Sequence, residues 1–277
     1  MLSEEYRIPS RHNQVPVKIL AIGNSWTENA TDDLGRIFDN LGYKVLLTRT
    51  YLGDGSLMDY SKNLSTSDSI LVFSVWDNGK WVKDDEKICL KDIMLKNEWD
   101  IITLQQNSRN SCTYNTYQPY LNKLLNYIYS LDIIPVVYYH VTWSYPVHTV
   151  QGRFPSDTLN SSSMYEAVIK TWSKICEKTN ISKVILSAPV IQQCREIDGL
   201  DIGRFDTEDG LHLFHGKYAA ACAWASSIIN TYFDPSVRNS DIIDCTYYGP
   251  YPEDIAKEIQ ATAYEVTHNI GKYIDLK

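Results

Sequence analysis

VKILAIGNSWTENATDDL, Val17 to Leu34, runs an apolar segment into the corner Gly23-Asn24-Ser25 and then into a polar stretch that reads as a helix. A short unbroken apolar run ending at small residues is what a strand buried on both faces requires. The same signature recurs at Tyr43–Gly53 (YKVLLTRTYLG), Trp99–Gln106 (WDIITLQQ), Ile133–Trp143 (IIPVVYYHVTW) and Lys183–Val190 (KVILSAPV). Helical patterns alternate with these runs. The first covers about Thr27–Leu41, with Gly42 as its C-terminal stop. A second, Tyr117–Leu131, sets Leu121, Leu124, Leu125 and Ile128 on one face. Three more follow: SSMYEAVIKTWSKICEKT, GKYAAACAWASSIINTYF and PEDIAKEIQATAYEVTHNIGKYI. Strands and helices in this rhythm predict a three-layer α/β/α sandwich around a five-stranded, mainly parallel sheet. Ser69–Lys87 breaks the rhythm and reads as a small β-hairpin insertion turning at Asp77-Asn78-Gly79. With no repeat or linker, the chain reads as one domain, its core at about 17–233 and a C-terminal helix at about 252–275.

Composition narrows the classes. The 277 residues are 44% hydrophobic and 22% charged, as in a globular protein with a substantial core. A net charge of −8 opposes a nucleic-acid partner, because phosphate backbones attract basic surfaces. No apolar run is long enough to span a membrane. The opening MLSEEYRIPSRHNQ lacks an apolar signal core, which leaves a cytoplasmic protein or an exported one trimmed of its leader. Cys89, Cys112, Cys176, Cys194, Cys222 and Cys245 form no CxxC unit and read as buried thiols, with a disulfide the main rival reading.

In open parallel sheets, ligands collect at the carboxyl ends of the strands. Ser25 follows the first strand, Gly53 ends the second, and Gln105-Gln106-Asn107 ends the third. DGLHLFHGKY, Asp209 to Tyr218, brings a carboxylate and an imidazole three residues apart. A serine hydroxyl needs a base within hydrogen-bond reach to act as a nucleophile. His212 can take its proton while Asp209 orients the ring. At a helix start, the N–H of Ser25 suits a developing oxyanion, and Gly53 lets a second N–H approach closely. An amide from Gln106 or Asn107 is a third candidate donor.

Gly23-Asn24-Ser25, Gly53, the polar block after the third strand and Asp209-Gly-Leu-His212 together resemble the SGNH (GDSL-type) hydrolases. ILAIGNSWTENA, DIITLQQNS, VTWSYP and DGLHLFHGKYAAACAW are similar to a branch of that family common in gut Bacteroidetes. The likeness runs from about Val17 to Phe233. It implies a flavodoxin-like fold and a triad of Ser25, His212 and Asp209. It also implies an oxyanion hole built on the Ser25 and Gly53 amides, and no metal or cofactor. As substrate it implies a small-molecule or oligosaccharide ester, an acetyl group on a carbohydrate above all. A lipid ester or thioester, or a silent carbohydrate-binding protein on the same fold, are the rival expectations. Two blocks depart from the family. Asn24 replaces the usual Asp, and as its isostere is expected to keep the turn. The third block reads Gln105-Gln106-Asn107-Ser108 in place of G-x-N-D.

Simpler readings compete. Ser25 or Thr27 could be a plain helix cap. His212 and His215 make an H-x-x-H without a third metal ligand at a familiar spacing. Asp206 and Glu208 are alternative acids. Trp26, Trp143 and Tyr145 are candidates to line the substrate pocket, with loop packing as the alternative. Asn29-Ala30-Thr31 matches a glycosylation sequon one turn from Ser25, where a glycan would crowd the site.

Overall fold

The computed structural model describes residues 15–149, 154–155, 158–179, 181–206, 212–233 and 241–273. In chain order the elements are β1 (Val17–Ala21), α1 (Ser25–Thr31), α2 (Leu34–Asn40), β2 (Val45–Tyr51) and α3 (Leu57–Thr66). Then come β3 (Val72–Asp77), β4 (Lys80–Lys83), α4 (Leu90–Leu95), β5 (Ile101–Leu104), α5 (Tyr120–Ile128) and β6 (Val136–His140). The chain continues through α6 (Ser161–Lys178), β7 (Lys183–Ile185), α7 (Ser187–Cys194), α8 (Ile202–Asp206), α9 (Lys217–Thr231) and α10 (Glu253–His268).

The sheet order is β4-β3-β2-β1-β5-β6-β7. β1 lies parallel to both β2 and β5, and β5, β6 and β7 continue parallel. Successive crossovers therefore leave β1 in opposite directions. The crevice above the ends of β1 and β5 is the switch point at which such sheets hold ligands. Ile19, Leu20, Ala21, Ile101 and Ile102 are fully buried, as strands covered on both faces must be. α1, α2, α7 and α10 pack around α9, while α3 packs with α4 and α5. The first turns of α9 through Ile229 are buried on nearly every side, which makes it the central helix of its layer.

Seven strands replace the expected five, because the Ser69–Lys87 hairpin joins the sheet. β3 pairs antiparallel with β2, and β4 with β3. Asn78 and Gly79 take positive φ values of 48° and 80°, the left-handed pair that a tight hairpin needs. The expected helix over Thr27–Leu41 is two helices. The indole of Trp81 donates to the Asp32 carbonyl (3.2 Å), competing for an acceptor that a continuous helix would use. The fifth run also changes state: the strand ends at Ile185 and α7 starts at Ser187, with Pro189 in the first turn where a missing N–H costs nothing. All six cysteines are free thiols. Among the described residues no helix is long and apolar enough to cross a membrane.

The hairpin docks on α2 at Gly35, where an added Cβ would lie 2.2 Å from the Trp76 ring. Gly35→Ala is expected to destabilise the protein by about 1–3 kcal/mol through overpacking. A lowered urea midpoint checks this.

Candidate active site

Asn24, at the end of β1, caps α1. Its Oδ1 accepts from the Trp26 N–H at 3.0 Å. Neither Ser25 nor Thr27 does that work, so the Ser25 hydroxyl is free to point elsewhere. It meets His212, whose Nε2 lies 2.8 Å from Ser25 Oγ across 187 residues of sequence. Ser25 and His212 are both half-buried. A hydroxyl bonded to an imidazole nitrogen can hand over its proton as it attacks an electrophile. Asp209 and Glu208 lie outside the described residues. Asp206 is committed elsewhere: it forms an ion pair with Arg195 at 2.9 Å, both side chains 3% exposed.

That ion pair anchors the end of α8. Arg195 also donates to the Ser144 and Ser161 hydroxyls (2.9 and 3.0 Å) and to the Ser144 carbonyl (3.1 Å). Asp206 accepts from the Val147 N–H at 3.2 Å. The chain then returns onto α8: the N–H groups of Phe214, His215 and Gly216 donate to the carbonyls of Asp206, Arg204 and Phe205. Glycine is needed at 216 because a Cβ there would stand 2.7 Å from the Phe205 carbonyl oxygen.

Gly53 lies exposed just beyond β2, and its N–H has no acceptor among the described residues. The following residue, Asp54, sits in the left-handed region (φ 51°). Asn107 holds it there: the Asn107 amide nitrogen donates to the Asp54 carbonyl (2.9 Å) and contacts its carboxylate (3.2 Å). Gln106 spans another gap, donating to the Thr116 carbonyl (3.0 Å) and accepting from the Leu57 N–H (3.1 Å). Both amides thus brace the loops around Gly53.

Gln105 turns inward. Its Nε2 donates to Asn24 Oδ1 (2.8 Å), and its Oε1 meets His140 Nδ1 (2.7 Å). His140 Nε2 then meets the Ser187 hydroxyl at 2.9 Å. Every donor in this chain can be assigned from the backbone outward. Trp26 N–H fixes Asn24 Oδ1 as an acceptor, and the Gly55 carbonyl, 3.0 Å from Nδ2, fixes the other end. Gln105 must therefore offer its NH₂ to Asn24 and its oxygen to His140, so His140 carries its proton on Nδ1 and accepts from Ser187. Burial pushes the His140 pKa down to about 3, which keeps the ring neutral. On the neighbouring helix face, burial raises the Glu28 carboxyl above the ordinary carboxylate range, with Arg49 pulling it back.

Trp26, Trp143 and Tyr145 are gathered together but turned away from solvent. Trp26 stacks on Trp143 with centroids 4.3 Å apart and an interplanar angle of 23°. Tyr145 lies 5.9 Å from Trp26 and bonds the Ser108 hydroxyl at 2.9 Å. All three are buried, with Trp143 and Tyr145 packed against Trp26 of α1. Among the described residues no three His, Cys, Asp or Glu side chains converge as a metal cage would need.

Residues 18–244 match the family described as Domain of unknown function (DUF4886). The chain belongs to this family. A crystal structure of a DUF4886 family protein from Bacteroides uniformis superimposes with a TM-score of 0.79 at 24% identity, covering 95% of this chain and 98% of that one. A protein from Slackia heliotrinireducens, provisionally described as an SGNH hydrolase, matches with a TM-score of 0.51 at 14% identity over 77% of this chain and 100% of its own. At these identities the likeness shows a shared fold. No curated protein matches the chain. This DUF4886 member thus carries an α/β fold with a Ser–His contact at its switch point.

Two outcomes follow from the buried chain. Asn24→Asp places a carboxylate oxygen against the Gly55 carbonyl and is expected to cost about 1–3 kcal/mol, read by urea denaturation. His140 binds a proton readily only when unfolded, so its contribution to stability is intact above pH 6.5 and drains away as pH falls towards about 3. Between pH 6 and 4, His140→Asn is expected to flatten the fall in stability by up to about 1.4 kcal/mol per pH unit. Parallel slopes for wild type and variant would contradict it.

Proposed function

We propose that this chain is a serine esterase, with Ser25 as nucleophile, His212 as general base and Asp209 as the acid that orients the imidazole. The observation that carries the proposal is the 2.8 Å contact between Ser25 Oγ and His212 Nε2 at the sheet's ligand-binding rim. His212 Nε2 takes the hydroxyl proton as Oγ bonds to the acyl carbon. The Ser25 and Gly53 N–H groups, which have no acceptor among the described residues, stabilise the resulting oxyanion. Collapse breaks the bond to the alcohol, which leaves with the proton from His212. Water then attacks the acyl-serine, gives its proton to His212, and releases the carboxylic acid as Ser25 regains its own. In this reading Gln106 and Asn107 hold the Gly53 loop rather than contact the oxyanion.

The provisional description of the Slackia heliotrinireducens protein as an SGNH hydrolase supports the same class. The substrate, a short acyl group such as acetyl on a carbohydrate, follows from the resemblance of the sequence blocks to the SGNH hydrolases. Hydrolysis of 4-nitrophenyl acetate, compared with the octanoate, is the direct test. Wild type is expected to favour acetate, and Ser25→Ala to lose about 10³-fold or more in kcat. Release of acetate from acetylated polysaccharides extends the test to the sugar. Preference for octanoate would point to a lipid ester. Retained sugar binding without turnover would point to a silent binding protein.

A further inference from the structure

The triad contacts act on the His212 ring, and the backbone that carries the ring needs its own hold on α1. The histidine belongs to a loop and the serine to a helix, and a hydroxyl–imidazole bond is too weak to hold the two elements in register alone. The answer lies one turn into α1. Asn29 Nδ2 donates to the Leu213 carbonyl at 2.8 Å, and the Leu213 N–H donates back to Asn29 Oδ1 at 3.1 Å. The two bonds bridge 184 residues and saturate the backbone of the residue that follows His212. Leu213 itself is 3% exposed, so its side chain seats the same residue in the core.

We infer that Asn29 is a positioning residue that sets the Ser25–His212 geometry by gripping both backbone groups of Leu213. The inference rests on the esterase reading above. The amide is chemically specific here, because one side chain must accept from an N–H and donate to a C=O. Aspartate can do only the first, and alanine neither. Phe214, His215 and Gly216 hold the turn to α8, but α8 does not carry the serine, so those bonds fix the loop without fixing its distance to α1. The Asn29 Nδ2 atom is also the one a glycan would occupy in Asn29-Ala30-Thr31. The same inference therefore makes glycosylation at this sequon incompatible with an assembled site.

The experiment compares wild type, Asn29→Ala and Asn29→Asp with 4-nitrophenyl acetate, and follows Ser25 labelling by a fluorophosphonate that needs the activated hydroxyl but no substrate pocket. A misplacement of the base by about 1 Å is expected to lower kcat by roughly 10²-fold in Asn29→Ala. KM should stay within about twofold, and the labelling rate should fall in step with kcat. Asn29→Asp keeps one of the two bonds, and serves if the alanine variant fails to fold; its kcat should lie between the other two. A wild-type kcat and labelling rate in either folded variant would overturn the inference while leaving the esterase intact. Absence of turnover and of Ser25 labelling in wild type would overturn the esterase reading, and the positioning role with it.

Discussion

A hydroxyl at the front of the chain and an imidazole 187 residues later stand 2.8 Å apart, one carried by a helix and the other by a turn far along the sequence. The constraint that follows is mechanical. α1 must be locked to the sheet, the 212–216 turn must be locked to α8, and the two must then be tied together. The structure meets each demand with a different kind of polar contact. Asn24 and Gln105 fix the start of α1 to β5 and β6, Arg195 and Asp206 fix the root of the turn, and Asn29 joins the halves. Apolar packing fills the space between them but is indifferent to small shifts in register. Hydrogen bonds with defined donors and acceptors are not.

Placing such groups in the interior has a cost. An ion pair with both partners 3% exposed gives up much of its hydration, and a hydrophobic pair of the same size would often serve stability as well. Arg195 recovers part of that loss through its bonds to Ser144, Ser161 and Tyr145, so its guanidinium is nearly saturated. What it contributes in return is geometry: three segments distant in sequence are held to one planar fork. His140 follows the same economy in a neutral form. Its ring is kept uncharged by burial, and its two nitrogens divide cleanly into a donor towards Gln105 and an acceptor towards Ser187.

Much of this was legible in the residues, and the limits are physical. The five parallel strands are legible because each is mostly buried and built around a short run of Val, Ile and Leu, even where β2 carries Thr48-Arg49-Thr50. Asn78-Gly79 marked the hairpin turn, yet local chemistry could not say that β3 would add to β2, since sheet membership is a long-range pairing. The break in the first helix was invisible for a similar reason: the Trp81 indole that competes for the Asp32 carbonyl comes from β4. KVILSAPV holds two elements, and Pro189 after Ser187-Ala188 is the helix-start pattern that divides them. At the site, Ser25 and His212 could be paired from motif and strand position. His140 does carry a signal, an imidazole closing the apolar run of β6. The roles of Asn29 and Arg195 carry none, because their partners are backbone atoms, distant hydroxyls and a carboxylate eleven residues away that no spacing rule encodes.

Asn24 and the polar block at 105–107 form one coupled choice. An aspartate at position 24 would satisfy the Trp26 N–H and the Gln105 amide, but it would leave the Gly55 carbonyl facing a carboxylate in a buried corner. Asparagine resolves that conflict by presenting a donor on one side and an acceptor on the other. Its fixed orientation then requires the amide of Gln105 to point one way, and the Gln105 orientation in turn dictates which nitrogen of His140 carries the proton. Gln106 and Asn107 continue the logic outward across the 52–56 loop, Gln106 linking Leu57 to Thr116 and Asn107 linking Asp54 to Asn110. Asn24 and the Gln105-Gln106-Asn107 block therefore converge on the same 54–57 loop, and their side chains set the position of the backbone on which Ser25 and Gly53 are carried.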